Sequence, residues 1–227
     1  MGLRLGKAGV AGSNPARGST EASFVKETSK RARAQIYLHL ENHEIQGYWM
    51  VYRTIRLADG RTATLDWLKE DELPEVIEAL NSVIREGKYL FMNSEITDME
   101  EERRWFERGT KEGMRYLVAR VDGRVVGGAS IHPHTEKRAH VADYGIYIRE
   151  GYRNLSLGTA LTKELIGIAK KQRLEILQLS VYATNERAFH VYKKCGFKEC
   201  GRLTRDIKFL DGTYADRILM ELPLRGI

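Results

Sequence analysis

A short basic loop that leads into a glycine-started helix is the segment of this sequence best suited to chemistry. The segment runs from Gly145 to Leu161, and it carries Arg153 and Gly158 between a strand-like and a helix-like stretch. Successive backbone N–H groups at such a turn form a concave anion site, and the helix dipole adds about half a positive charge there. The segment therefore predicts a site for a phosphate-bearing ligand, although an ordinary β-turn-α connection would have the same pattern. It is neither a Walker loop nor a dinucleotide fingerprint, because no Lys-Ser or Lys-Thr follows the glycine and G-x-G-x-x-G is absent.

A second segment, residues 185–197, combines with the first into a pattern that resembles the GNAT N-acetyltransferase superfamily. In that family Arg/Gln-x-x-Gly-x-Gly/Ala binds the coenzyme A pyrophosphate, and Asn-x-x-Ala-x-x-x-Tyr-x-x-x-Gly-Phe places a tyrosine near the thioester sulfur. The matching residues of this chain, at the family spacing, are Arg153, Ser156 and Gly158, then Asn185, Ala188, Tyr192, Gly196 and Phe197. Ser156 departs from the pattern, which has glycine there. Serine is small and can donate a hydrogen bond, so phosphate binding is expected to survive with a shifted backbone.

The resemblance implies acyl transfer from acetyl-CoA, the co-substrate, to an amine. It also implies where the coenzyme lies: the backbone of a strand end should hold the pantetheine arm, and the following loop should hold the pyrophosphate. The expected cofactor-binding residues are Ile146, Tyr147, Ile148, Arg153, Asn154, Leu155, Ser156, Leu157, Gly158, Thr159, Asn185 and Tyr192. The family splays two strands at this point, exposing an N–H that polarises the thioester carbonyl. Gly145 is the expected bulge that starts the splay.

Such a reaction needs a neutral amine and a proton donor for the departing thiolate. An alkyl amine with a pKa of about 10.4 loses its proton at pH 7 at a cost of about 4–5 kcal/mol, so a base is needed. Tyr192 holds the family's general-acid position, and packing is the alternative role of its ring. Asp143 aligns with a glutamate of the phosphinothricin-acetyltransferase-like branch and is the candidate base, whereas a surface aspartate with deprotonation through water is the alternative. The N-terminal acetyltransferase branch has its glutamate where this chain has Ser180, so that base is missing.

The sequence leaves three functions open. The first is transfer to the primary amine of a small molecule, and the C-terminal residues resemble the phosphinothricin, polyamine and ribosomal-protein acetyltransferase groups. The second is acetylation of an N-terminal or lysine amine of a protein or peptide, and the third is a non-catalytic coenzyme A-binding module. Loops around 89–96 and 208–214 are expected to line the acceptor site. Their aromatic and acidic residues would suit a cationic amine or, equally, a solvated loop: Tyr89, Phe91, Glu95, Asp211 and Tyr214.

The elements that must position these residues follow from periodicity and turn signals. Predicted strands are Arg53–Leu57, Thr62–Trp67, Arg115–Val121, Val125–His132, His140–Ile148, Ile176–Ala183, Leu203–Phe209 and Ala215–Leu222. Predicted helices are Leu73–Glu86, a second from Thr97 or Asp98 to about Lys111, Leu157–Gln172 and Asn185–Cys195. With the resemblance, this order predicts a single α/β domain whose mixed, mostly antiparallel sheet is splayed at its centre and flanked by helices.

Composition limits the remaining classes of function. The chain has 227 residues, 42% hydrophobic and 30% charged, which is ample for a buried core. No run approaches the roughly 18 apolar residues of a membrane span, and two cysteines cannot form a disulfide framework, so a cytoplasmic protein without a membrane partner is expected. His132, His134 and His140 flank one loop, but no carboxylate or cysteine completes a set at fixed spacing, so no metal is expected.

The N-terminal part of the chain differs from the rest. Residues 1–34 hold seven Lys/Arg and two Asp/Glu, so most of the net charge of +6 lies there, and no nucleic-acid partner is expected for the folded part. Residues 1–49 are predicted to be a disordered extension in which Arg33–His43 could form a short helix, and 50–227 the acetyltransferase domain. Residues 10–18 look like translation through the end of a transfer-RNA gene, so Met50 is the candidate true start. A homodimer is considered because dimers are common in the family.

Overall fold

The computed structural model describes residues 52–225. The expected extension over residues 1–49, the short helix over Arg33–His43 and the candidate start at Met50 lie outside the described residues. The elements within them come in the predicted order, with two additional 3-10 turns at Glu70–Glu72 and Glu136–Arg138.

The described residues form eight strands and four α-helices. The strands are β1 (Arg53–Arg56), β2 (Thr62–Trp67), β3 (Arg115–Val121), β4 (Arg124–Pro133), β5 (Val141–Ile148), β6 (Ile176–Tyr182), β7 (Lys198–Lys208) and β8 (Tyr214–Pro223). The helices are α1 (Leu73–Ile84), α2 (Met99–Lys111), α3 (Leu157–Lys171) and α4 (Glu186–Lys194).

The strands form one mixed sheet in the order β1-β2-β3-β4-β5-β6-β8-β7. Every neighbouring pair is antiparallel except β5 and β6, which are parallel. A parallel step needs a crossover connection, and α3 supplies it between these two strands. The predicted fold class, a mixed and mostly antiparallel sheet flanked by helices, is therefore confirmed.

The sheet opens between its two parallel strands. β5 pairs with β6 only from Val141 to Asp143, although β5 runs on to Ile148 and β6 to Tyr182. Beyond Asp143 each strand keeps its other neighbour, since β4 follows β5 and β8 follows β6. The expected splay is thus present. The expected bulge at Gly145 is wrong, because β4 and β5 pair in unbroken register there: the opening arises from lost pairing with β6 and not from an inserted residue.

The core lies on both faces of the sheet. On one face, α3 buries Leu157, Leu161 and Leu165 among apolar strand residues such as Leu177 and Met220. A second cluster joins α1 to the other face of β3, β4 and β5, where its members include Leu73, Val76, Val118, Val125 and Tyr147. Because side chains alternate along a strand, Asp143, Gly145 and Tyr147 share the face of α1, whereas Tyr144 faces α3.

β7 differs most from its prediction, since it begins at Lys198 rather than Leu203. It is an edge strand that pairs only with β8, through two register shifts, and nearly all of its residues are exposed. A strand exposed on both faces carries no hydrophobic alternation, so its start could not be read from periodicity.

Replacing Gly128 by Ala tests how closely aromatic rings pack on the α1 face. An added Cβ would lie 2.8 Å from Cε1 of Tyr116 and 2.9 Å from Cε1 of the buried Tyr147. We expect the free energy of unfolding to fall by about 1–3 kcal/mol, as overpacking does. The matched control is Gly167→Ala in α3, where nothing lies within 4 Å of the new atom, and it should gain about 0.5–1 kcal/mol. Urea unfolding measures both, and equal effects would contradict this packing.

Candidate active site

A cavity of about 960 Å³ occupies the opening between β5 and β6. This volume lies at the upper end of the range for ligand sites, about 300–1,000 Å³. Its walls include most residues that the sequence singles out: Asp143, Ile146, Tyr147, Ile148, Arg153, Asn154, Ser156, Gly158, Thr159, Asn185 and Tyr192. Leu155 and Leu157 are not among them, because both pack into the core beneath α3.

The loop between β5 and α3 adopts left-handed backbone conformations at Gly151, Asn154 and Ser156, with φ of +81°, +62° and +66°. Ser156 precedes the first residue of α3, and its side chain makes no capping hydrogen bond. The N–H groups of the first helical turn therefore remain for a ligand. Alternating right- and left-handed residues turn successive N–H groups to one side, which suits a phosphate.

Gly158 brings the start of α3 close to β5. A Cβ at this position would lie 3.3 Å from Cδ1 of Ile148, so the end of that side chain would have to shift slightly to admit it. The loop, the uncapped first turn and the close approach together form a cradle of backbone N–H groups, which suits an anion such as a phosphate.

Arg153 is held by protein groups at the edge of this cradle. Its Nε donates to the carbonyl oxygen of Ile148 at 2.8 Å, and Nη1 donates to Oε2 of Glu86 at 2.7 Å. Nη2 donates to the other oxygen of Glu86, and the guanidinium lies 4.6 Å from the ring centroid of Tyr89. The hydrogen bond that Arg153 donates to Glu86 raises the pKa of the guanidinium above its usual value. Sequence reasoning missed Glu86, because a glutamate just beyond a helix end carries no signal for a partner 67 residues away.

Asp143 stands at the vertex of the opening, as the last residue of β5 that pairs with β6. Its Oδ1 accepts a hydrogen bond of 2.5 Å from Nε2 of Gln178 and lies 3.3 Å from Nε2 of His134. The side chain is 54% exposed, so it can meet an incoming acceptor. His132 lies opposite on β4, and burial lowers its pKa more than Asp143 raises it, so its imidazole is neutral at pH 7.

Tyr192 lines the cavity from the side of α4, which Asn185 begins by accepting a hydrogen bond from the N–H of Ala188 at 3.2 Å. The residue is only 7% exposed, and its ring packs edge-to-face on Tyr144 and against Phe197. Among the described residues its hydroxyl has no hydrogen-bond partner. Burial raises the pKa of Tyr192, so the phenol stays protonated well above neutral pH. The ring of Tyr192 can therefore pack in the core while its hydroxyl remains available as a proton donor at the cavity wall.

The loops expected to line the acceptor site, around 89–96 and 208–214, line the cavity only in part. Tyr89, Leu90 and Phe91 line it, but Glu95 binds Arg85 at 2.6 Å instead. Residues 208–214 are not among the lining residues. The cavity-facing positions of β8 take their place because β8 continues alongside β6 where β5 has diverged, and with Cys200 they complete the wall: Arg217, Leu219 and Glu221.

Two further features concern only residues 52–225. No group of three or more His, Cys, Asp or Glu side chains in this range is placed to hold a metal ion. No helix in this range is long and apolar enough to span a membrane. Cys195 and Cys200 are free thiols.

Comparison with known proteins gives matches of family, sequence and structure. A family model described as the acetyltransferase (GNAT) family matches residues 77–197. An L-amino acid N-acetyltransferase of Escherichia coli is 34% identical over 121 residues, covering 50% of this chain and 75% of that protein. An N-alpha-acetyltransferase of Sulfurisphaera tokodaii is 36% identical over 126 residues, covering 48% of this chain and 69% of that protein. The crystal structure of a ribosomal-protein-alanine N-acetyltransferase from Brucella melitensis superimposes with a TM-score of 0.65 at 25% identity, covering 70% of this chain and 98% of that one.

Replacing Ser156 by Gly tests the strain at the start of α3. A residue with a Cβ pays about 1–2 kcal/mol in the left-handed region, and glycine does not. We expect the free energy of unfolding to rise by about 0.5–1 kcal/mol, the strain less the extra chain entropy of glycine. Ser156→Ala keeps the Cβ and loses a hydroxyl that caps nothing, so its unfolding midpoint in urea should not move. A loss of stability in Ser156→Gly would contradict the strained conformation.

Proposed function

This chain belongs to the acetyltransferase (GNAT) family, and we propose that it transfers the acetyl group of acetyl-CoA to the primary amine of a small molecule. Its relatives are named N-acetyltransferases, and the chain is an acyltransferase of the same family. The observation that carries the proposal is the opening between β5 and β6, with a phosphate cradle at one end and Asp143 and Tyr192 along its walls. A cytoplasmic location and a homodimer stay predictions.

Acetyl-CoA would supply an acetyl group already activated by a thiolate leaving group. In our proposal its pyrophosphate binds the backbone N–H groups of residues 154–159, and Arg153 fixes this loop and adds positive charge. The unpaired edge of β5 from Ile146 to Ile148 binds the pantetheine arm as a neighbouring strand would. Asn185 uses its side-chain oxygen as the α4 cap, so its NH₂ group is left to contact the coenzyme.

Two side chains would move the protons. Asp143 takes the proton of the attacking amine, directly or through water, with its carboxylate oriented by Gln178 and His134. Tyr192 donates to the departing thiolate, and its raised pKa keeps the phenol protonated until that moment. The two roles differ in environment, because the carboxylate is half exposed and the phenol is buried.

The small-molecule acceptor is favoured over a peptide by the shape of the far end of the cavity. The hydroxyl of Tyr182 donates to the carbonyl oxygen of Leu90 at 2.6 Å, which ties the cavity-lining segment around Phe91 to the end of β6. A peptide acceptor would need an open groove there. The name of the Escherichia coli relative also supports a small amine, whereas the name of the Sulfurisphaera relative supports the peptide alternative. Ser180 disfavours the peptide alternative, because the N-terminal acetyltransferase branch has its glutamate base at this position and serine cannot replace it.

Thiol release from acetyl-CoA tests the proposed function. The wild-type protein is assayed with a panel of L-amino acids, a polyamine and a short peptide with a free N-terminus. We expect turnover with a small amine, and we expect Tyr192→Phe to lower kcat about 10²-fold, typical of a lost general acid, with calorimetric affinity for acetyl-CoA unchanged. The matched variant Tyr144→Phe loses a buried hydroxyl that binds Thr162 at 2.8 Å, so it should lose about 1 kcal/mol of stability and far less turnover.

The outcomes of this assay separate the three functions. Turnover of the peptide alone would replace the small-molecule proposal with the peptide alternative. Binding of acetyl-CoA without turnover of any acceptor would leave a coenzyme-binding module.

Asp143→Asn tests the base with the best acceptor of that panel. The amide keeps an oxygen for Gln178 but cannot take a proton. We expect kcat/KM to fall at neutral pH and to recover about tenfold per pH unit as alkali deprotonates the free amine. The wild-type enzyme should show a shallower rise. Identical pH profiles for the two proteins would assign deprotonation to water and not to Asp143.

A further inference from the structure

A single chain segment, residues 86–92, contacts both sides of the opening: the loop that follows β5 and the end of β6. It follows the end of α1, and its residues Tyr89, Leu90 and Phe91 line the cavity. At its start Glu86 binds Arg153, which belongs to the donor loop after β5. Further along, its Leu90 carbonyl accepts the hydrogen bond of Tyr182 from the end of β6.

The contact between Glu86 and the loop after β5 has a defined geometry, because several atoms of Arg153 take part in it. Arg153 uses Nη1 and Nη2 on the two oxygens of Glu86 and Nε on the carbonyl oxygen of Ile148. The guanidinium also stacks on Tyr89, within the same segment. The side chains of Arg153 and Glu86 are 14% and 20% exposed, so water screens the pair little. A bidentate pair with a planar stack fixes both orientation and distance.

The other contacts of the segment make it a connected body and not a free loop. Phe91 packs edge-to-face on Tyr182 with centroids 4.8 Å apart. Just beyond the segment, the side chain of Asn81 exchanges two hydrogen bonds of 2.8 Å with the backbone of Ile96. Residues 86–92 are therefore anchored at several points, and Glu86 supplies the hydrogen-bonded contact with the phosphate cradle, beside the stack of Tyr89 on Arg153.

We propose that Glu86 is a positioning residue that couples the two substrate sites: through its ion pair with Arg153, ordering of the donor loop by acetyl-CoA also orders residues 87–92 at the acceptor site. The inference rests on the proposed function, since it takes acetyl-CoA as the donor. Arg153 uses one N–H of each guanidinium nitrogen on Glu86 or Ile148, and in this coupling the pyrophosphate binds the backbone N–H groups of α3 while the Glu86 pair stays in place. A ligand that orders the loop lowers the cost of ordering whatever is fixed to it.

Amide hydrogen exchange followed by mass spectrometry tests this coupling in the full chain, with acetyl-CoA itself as the probe. In the wild-type protein, acetyl-CoA should slow exchange at residues 157–160, which report donor binding, and at 87–92 by at least about fivefold. In Glu86→Gln the protection at 157–160 should remain and the protection at 87–92 should be lost. A structural role alone would change exchange at 87–92 equally with and without acetyl-CoA.

The matched control is Arg85→Gln, which removes the neighbouring residue's ion pairs with Glu78 and Glu95 on the outer surface. It should keep the effect of acetyl-CoA on residues 87–92. Because Glu86→Gln leaves the arginine without its partner, the double variant Glu86→Gln/Arg153→Gln removes both charges and should fold while still lacking the coupling.

Three results would overturn the inference: protection of 87–92 in Glu86→Gln, loss of protection in Arg85→Gln, or faster exchange at 87–92 when acetyl-CoA binds the wild-type protein. A wild-type protein that shows no calorimetric binding of acetyl-CoA would instead refute the proposed function, and the inference with it.

Discussion

The function of this fold depends on the point at which β5 and β6 stop pairing. Up to Asp143 the two strands are hydrogen-bonded, and beyond it each has an edge that faces a cavity. Backbone N–H and C=O groups that lose a strand partner need another one, from water or from a ligand. A linear molecule with amide groups can supply it, and in the proposed function the pantetheine arm does so along the free edge of β5.

The opening can persist because the two halves of the sheet are held independently. α3 crosses from β5 to β6 and buries Leu157, Leu161 and Leu165 beneath both strands, while α1 packs on the opposite face of the β5 half. These contacts keep the strands together below Asp143, and the continued pairing of β4 with β5 and of β8 with β6 keeps each arm rigid above it. Ser156, in the left-handed region, then sets the start of α3 beside the opening, where Ser156, Gly158 and Thr159 line the cavity.

The sequence could predict features that depend on residues close together along the chain, and it could not predict contacts between residues far apart. Helices with a buried stripe, such as α1 and α3, were predicted within a few residues because their periodicity is local. The start of β7 was missed because an exposed edge strand has no such pattern. The contacts around the site were invisible for another reason: Glu86 meets Arg153, and Gln178 meets Asp143, across long stretches of chain. Motif spacing pointed to Tyr192 and Gly158, which line the cavity, but only the fold could show that β8, and not residues 208–214, completes the cavity wall.

The two candidate proton-transfer groups lie on opposite faces of the sheet, and this separation gives the reaction a direction. Asp143 shares the face of α1, whereas Tyr144, the next residue, points to the other face and packs on Tyr192. In the proposed reaction an amine that approaches Asp143 enters from one face, and a thiolate beside Tyr192 leaves toward the other. That reaction requires the acyl carbon to lie between them, in the gap left by the lost pairing of β5 and β6. A continuous sheet would place a row of hydrogen bonds there, so the same residues on an unsplayed fold could not reach a common reacting centre.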